Sequence, residues 1–299
     1  MNANKIIEKF EKNILIAENM SKYSWFNLGG PADIFFKPKD KDQLINFLQE
    51  VKNIDKSITL LGAGSNTLIR DKGCKGIVIK LSPKFANINM SEPNIIEVGA
   101  ATLDKNLARF ASENSLSGFE FLSCIPGSVG GAIVMNSGCY GDDISKIIAS
   151  VKTVDFQGKE HEFKKKDINF FYRGNDMPKN HIIISAKFKG TPSKKEDILL
   201  KQKKLLEEKK ISQPSQIKTC GSTFKNPINK KAWELIKQSG CENLSIGGAR
   251  LSEKHCNFFM NNGDASSKDI EMLIEKVREK VLRKTGIKLD LEIKIIGNK

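Results

Sequence analysis

The most chemically suggestive parts of this chain are two stretches punctuated by glycine. One is LLGAGSNTLI, residues 60–69, and the other is FLSCIPGSVGGAIVMNSGCYG, residues 121–141. In the first, Gly62 and Gly64 flank Ala63 and allow positive φ and close backbone approach. Successive N–H groups in such a turn form a concave anion nest, to which Ser65 and Asn66 add side-chain donors. A tight turn with no ligand explains the same residues. The third glycine of a G-x-G-x-x-G fingerprint would fall at position 67, which is Thr67, so this is not that motif. In the second stretch Pro126 and Gly127 are followed by Gly130 and Gly131. A main chain so thinly covered can lie against a flat ligand or a pyrophosphate, with Asn136 offering hydrogen bonds to a ring edge. A plain loop between elements is the alternative. One long dinucleotide accounts for both stretches at once.

Other residue types narrow the chemistry. Six cysteines are scattered with no C-x-x-C pair, and a chain of 299 residues needs no disulfide staples, so buried free thiols are expected. The three histidines lie far apart in the sequence, which argues against a metal site built from them. The net charge is +14, yet only six of the 49 basic residues are arginine. Nucleic-acid readers concentrate arginine and interleave aromatics, so nucleic acid is not expected as a partner, and an anionic small substrate is at least as compatible with the charge. Among those arginines Arg173 can grip a carboxylate through two N–H donors, or sit on the surface after a strand. Ser222 follows a glycine, where a cap or turn is the plain reading. Glu292 lies on the polar face of a terminal strand. His255 alone reads as an ordinary core or surface histidine.

These residues need elements to hold them. Residues 40–52 predict a helix with Leu44, Phe47, Leu48 and Val51 on one face, capped by Asp40 with Gln43 completing a capping box. SITLL, GIVIKL and IIEVG predict strands, and residues 103–116 a second helix. The Gly118 to Gly141 section reads as loop, with strands at SVKTVDF and HIIISAKF after it. The charged stretch from Gly190 to Gln216 reads as a domain connection built around a helix. Helices are expected at 231–239, closed by Gly240, and at 267–284, closed by Gly286. KLDLEIKII alternates as one half-buried strand, with Leu289, Leu291, Ile293 and Ile295 pointing one way. The mixture implies α/β or α+β layers. No apolar run reaches the ~18–20 residues of a membrane span. The N-terminus has no secretory pattern, so no membrane insertion is expected and the compartment expected is the cytoplasm.

The glycine segments together with SWFNLGGPADIFF, FFYRGND, CGSTFKNP, GGARLSEKHCNFFMN and LEIKIIG resemble, in order and spacing, the UDP-N-acetylenolpyruvoylglucosamine reductases. These belong to the FAD-binding fold shared with vanillyl-alcohol oxidase and p-cresol methylhydroxylase. The resemblance runs from about Tyr23 to Gly297. It implies an α+β fold: a two-lobed FAD-binding domain of the p-cresol methylhydroxylase type at 1–82 and 83–191, plus a smaller α/β substrate-binding domain at 192–299. The C-terminal strand of that last domain returns to the active site. It implies non-covalent FAD, NADPH as hydride donor, a UDP-sugar substrate, and no metal. The activity implied is reduction of an enol ether in peptidoglycan precursor synthesis, with another flavin oxidoreductase of the same fold as the alternative.

The resemblance also implies roles. Arg173 matches the catalytic arginine, Ser222 the proton donor and Glu292 the carboxylate that acts beside them. Gly62, Ala63, Gly64, Ser65, Asn66, Pro126, Gly127, Gly130, Gly131 and Asn136 match the cofactor cradle. Tyr172, Lys225, Asn226, Lys254 and His255 match substrate contacts. Three places depart from the family pattern: Asn175 stands where a serine is usual, LDLE at 289–292 replaces LEPE, and Cys124 replaces a glycine. Only 49 positions separate Arg173 from Ser222, and no tyrosine follows Tyr172, which is like the shorter form of the family.

Overall fold

A computed structural model describes residues 3–299. The chain divides into two compact units. One comprises the chain up to Leu15, Ile34–Ala63 and Ile77–Lys209; the other comprises Ile16–Asp33, Gly64–Gly76 and Lys210–Lys299.

The first unit is built on a five-stranded antiparallel sheet in the order Glu160–Lys164, Ile148–Asp155, His181–Lys189, Ile95–Gly99, Ile88–Glu92. Its central strand, HIIISAKFK, is apolar on both faces because both faces are covered. Ile182 and Ile184 join a core with Phe36, Phe47 and Val154, while Ile183, Ala186 and Phe188 join another with Val98, Leu107 and Val151. The pairing slips at Lys152/Thr153, where Ser185 and Ile183 are the facing residues. That bulge at Ile184 switches the alternation, so Ala186 and Phe188 share the face of Ile183.

The helix Lys41–Val51 forms as its periodicity predicts, burying Leu44, Phe47, Leu48 and Val51, with Phe47 stacked on Phe36 at 3.8 Å between ring centroids. Asp40 accepts from the Gln43 N–H at 2.8 Å, but the Gln43 side chain reaches back to the N–H of Lys39 rather than Asp40, so the expected box closes one residue early. The helix Asp104–Glu113 buries Leu107, Ala108 and Ala111. The section expected to be loop contains a short helix, Val129–Val134, because Val129, Ala132 and Ile133 are buried on one side despite two adjacent glycines. The charged connection is an 18-residue helix, Lys195–Ser212.

The second unit is organised on the helix Ser267–Thr285. A capping box starts it: Ser266 Oγ accepts from the Asp269 N–H at 3.0 Å and Asp269 accepts from the Ser266 N–H at 2.8 Å. Gly286 at φ 72° ends it in the left-handed conformation. Its Ile270, Leu273, Ile274, Val277 and Val281 are buried with Leu235 and Ile236 of the helix Ala232–Gln238 and with Phe224, Phe259, Leu289 and Ile293.

The C-terminal segment departs from the single strand that its alternation predicts. Leu289 and Ile293 are buried and Asp290 and Lys294 exposed, as the pattern requires. Regular pairing is confined to Lys294–Ile296, parallel to Thr67–Ile69. Upstream the main-chain groups are divided between partners: Asp290 O accepts from Lys225 N, and Glu292 N donates to Thr223 O, both at 2.8 Å. All six cysteines are free thiols, and no helix among the described residues is long and apolar enough to cross a membrane.

Candidate active site

In the first unit the two bare segments meet. A Cβ built on Gly62 would lie 3.0 Å from Ser128 Oγ, and one built on Gly131 would lie 3.6 Å from the same atom. Main-chain bonds set this arrangement: Val129 N to Thr102 O and Gly130 N to Ala100 O, both 2.9 Å, and Asp104 N to Gly127 O at 3.1 Å. The two adjacent glycines therefore serve different ends. Gly130 packs on Ala100, where a Cβ would sit 3.1 Å from the alanine's own, while Gly131 is exposed. Pro126 is also exposed. Gly62 has an ordinary φ. Within the turn only Gly64, which belongs to the second unit, uses the left-handed region at φ 72°, and a Cβ there would lie 1.8 Å from Tyr23 O.

The Lys80 ammonium donates to Gly62 O. Burial, and secondarily the charge of Lys37, lower its pKa. Main chain free of side chains, with a cation bonded to it, suits a phosphate-linked dinucleotide, and the residues present fit FAD.

Arg173 sits at the tip of a hairpin in which Phe170–Phe171 pairs with Gly174–Asn175. Its φ is 60°, a left-handed conformation uncommon for a side chain of this size, and its guanidinium lies 5.0 Å from the Tyr172 ring centroid. Two asparagines hold the hairpin. Asn136 Nδ2 donates to Phe171 O at 3.2 Å, and its Oδ1 accepts from Ser145 N at 3.0 Å. Asn175 Nδ2 donates to Ile133 O at 2.8 Å and Val134 O at 3.3 Å, the last carbonyls of the glycine-bearing helix. Asn136, expected at a ring edge, is thus buried and uses its amide to hold the arginine's hairpin. Cys124 is buried too. Its thiol is pulled down in pKa chiefly by a hydrogen bond from Cys139, and Lys209 donates to its carbonyl at 2.8 Å.

In the second unit Ser222 lies in an extended segment clamped from both sides. Asn257 binds its neighbour Phe224 twice: Oδ1 accepts from Phe224 N at 3.0 Å and Nδ2 donates to Phe224 O at 2.9 Å. Thr223 N donates to Asn257 O at 2.8 Å, and Ser222 pairs with Phe258 as an isolated bridge. On the other side Thr223 O takes the Glu292 N–H, and the oxygen of Glu292 is taken by Asn66 Nδ2 at 3.1 Å. The structure therefore brings together Asn66, Ser222 and Glu292 through backbone they share.

The expected substrate contacts are more dispersed in role. Lys225 N bonds Asp290 O, the Asn226 side chain caps the next helix by accepting from Ala232 N at 2.9 Å, and Lys254 Nζ donates to Lys210 O at 2.6 Å. His255 packs edge-on to Phe258 at 4.9 Å, accepts from Asn257 N at 3.3 Å through Nδ1, and has its pKa lowered by burial. Sequence reasoning missed Ser128, Asn257 and Lys80. Ser128 and Asn257 lie inside motifs already singled out, but nothing in residue type separates a positioning side chain from its neighbours.

A family model of an FAD binding domain matches residues 32–164, and one of the C-terminal domain of UDP-N-acetylenolpyruvoylglucosamine reductase matches residues 213–296. With the fold above, the first match makes this an FAD-dependent oxidoreductase. UDP-N-acetylenolpyruvoylglucosamine reductases of Rickettsia akari and of a Wolbachia from Drosophila simulans are 46% and 45% identical to it over 280 residues, 93% of this chain and 94% of theirs. The crystal structure of the UDP-N-acetylenolpyruvylglucosamine reductase from Thermus caldophilus superposes with a TM-score of 0.82 at 29% identity, over 95% of this chain and 98% of that one. The chain belongs to the UDP-N-acetylenolpyruvoylglucosamine reductase family.

Proposed function

We propose that the chain reduces UDP-N-acetylenolpyruvoylglucosamine to UDP-N-acetylmuramate in peptidoglycan precursor synthesis, in the cytoplasm, with non-covalent FAD and NADPH as the hydride donor. The observation that carries this is the convergence of Gly62 and Gly131 on Ser128, in a chain alike over nearly its full length to reductases of that name. Bound FAD supplies a carrier that takes hydride from the nicotinamide and delivers it to the substrate.

The chain's own residues do the rest. Gly62 to Asn66, Gly127 and Gly131 offer main-chain donors to the coenzyme, Pro126 and Gly130 line its cradle, and Lys80 is bonded at Gly62. Arg173 pairs with the substrate carboxylate and stays charged as negative charge grows beside it. Ser222 holds the proton that the carbon next to the reduced one receives, from a backbone clamped on both sides. Glu292 acts beside that carboxylate, from a segment bonded to the residue after Ser222. Tyr172, Lys225, Asn226, Lys254 and His255 contact the UDP-sugar. Residues 1–82 and 83–191 are assigned as the two lobes that serve the coenzyme, and 192–299 as the part that serves the substrate.

The test is spectroscopic. Purified protein should be yellow, absorbing near ~450 nm as flavins do, and acid precipitation should leave the colour in solution. NADPH should bleach it and the enolpyruvyl substrate should restore it. Colourless protein, or bleached protein that this substrate does not reoxidise, would sink the proposal.

A further inference from the structure

Two of the three histidines, distant in sequence, are neighbours in space, and they play no part in the site above. Sheet register brings them there. Thr153 faces His161 across one strand pair, and Asp155 faces His181 across the next. Residues two apart on a strand point to the same side, so Thr153, Asp155, His161 and His181 share one face at the end of the sheet.

Their geometry is that of a ligand set. One donor atom from each of Asp155, His161 and His181 lies within 4.8 Å of the others. Asp155 Oδ2 is 2.7 Å from His161 Nε2, and the two imidazole centroids are 4.6 Å apart. Asp155 and His181 are also held from behind. Asp155 Oδ1 accepts from the N–H groups of Gln157 and Lys159, both at 2.9 Å. His181 Nδ1 is 2.8 Å from Thr153 Oγ1, so a proton on Nδ1 leaves the Nε2 lone pair for a ligand. Metal-binding histidines are characteristically oriented through such an outer hydrogen bond on the other ring nitrogen. The ring of Phe163 stands edge-on to His181 at 5.4 Å.

We propose that Asp155, His161 and His181 bind one divalent transition-metal ion of the zinc type, through two imidazole nitrogens and one carboxylate oxygen, with water completing the shell. Imidazole with carboxylate suits Zn²⁺, Co²⁺ or Ni²⁺, whereas Ca²⁺ and Mg²⁺ favour all-oxygen shells. On binding, His161 gives up its contact with Asp155, places its proton on Nδ1 and turns the Nε2 lone pair to the ion. The ion ties three adjacent strands together.

The test is a Co²⁺ titration of full-length, FAD-loaded, metal-stripped protein, followed in the visible and then displaced with Zn²⁺. The expected result is one Co²⁺ per chain, with d–d bands and without the intense near-ultraviolet sulfur charge transfer that the cysteines would give. Zn²⁺ should also raise the melting temperature. H181A should abolish that equivalent, T153V, which keeps all three ligands, should weaken it about 10–100-fold, and C124S should leave it unchanged. If H181A proves unstable, H161N at a partly exposed position carries the same expectation. No binding below millimolar Co²⁺, equal affinity in H161N or H181A, or a sulfur-type spectrum would each overturn the proposal.

Discussion

Asn66 and Glu292 are 226 positions apart and joined by one hydrogen bond, from the Asn66 side chain to the main-chain oxygen of Glu292 at 3.1 Å. The next contact runs the other way, from Lys294 N to Asn66 O at 2.9 Å, and the parallel pairing of Thr67–Ile69 with Lys294–Ile296 continues from there. Asn66 thus extends a short ladder by one side-chain rung, and the position of Glu292 depends on the glycine turn. Replacing Asn66 by alanine should cost about 1 kcal/mol, the net worth of such a bond. Urea unfolding of the two proteins measures it. A variant as stable as the parent would show that the rung carries no weight.

Gly64 and Gly141 both have left-handed φ, 72° and 85°, but differ in surroundings. A methyl group on Gly64 would overlap Tyr23 O, whereas one on Gly141 meets nothing within 4 Å. Gly141→Ala should therefore show only the conformational cost, about 1–2 kcal/mol. Gly64→Ala should cost more than that or prevent folding. Melting temperatures of the pair make the comparison, and equal losses would contradict it.

For Ser222 the informative measurement separates the two half-reactions. In Ser222→Ala, NADPH should bleach the flavin at the parent rate. Reoxidation by substrate should slow about 10²–10⁴-fold, the usual worth of a positioned proton donor. Equal slowing of both halves would remove Ser222 from the proton-transfer step.

Asp104 is fully buried in the first unit, and neither carboxylate oxygen has a protein hydrogen-bond partner. Burial raises its pKa well above the usual carboxylate value. The folded state then holds a proton that the unfolded state releases, so the contribution of this group to stability is fully present below the unfolded pKa of ~3.9. It falls as pH rises from there to the folded value, by about 1.4 kcal/mol for each pH unit over which the states differ by one proton. Asp104→Asn should flatten this slope and leave the protein more stable at neutral pH. Denaturant midpoints at a series of pH values test it; parallel curves for parent and variant would refute it.

Legibility in the sequence followed the range of the interactions. The helices at 41–51 and 267–285 are readable because apolar period and N-cap, joined in the second by the terminal Gly286, act within a turn or two of the chain. The glycine segments announced themselves by composition. Their convergence at Ser128 did not, since it depends on Val129 and Gly130 bonding to Thr102 and Ala100. The helix over VGGAIV was hidden by glycines of low helix propensity and forms because Val129, Ala132 and Ile133 find a core. Distance along the chain says nothing of which histidines are neighbours: strand register, invisible in composition, places His161 and His181 side by side. KLDLEIKII showed its burial pattern correctly, but alternation carries no information on how many partners share a strand's hydrogen bonds.

Asn175 occupies a place where the family usually carries serine. A serine hydroxyl has one hydrogen to give, and it could latch a single carbonyl. The amide reaches two: that of Ile133, which also accepts the Asn136 N–H at 3.0 Å, and that of Val134, at the C-terminal end of the helix. Hairpin and helix are therefore one mechanical piece, and Arg173 is mounted on the same bracket as Gly130 and Gly131. An inserted residue anywhere in 170–175 would not lengthen a free loop; it would unhook that bracket and displace the guanidinium.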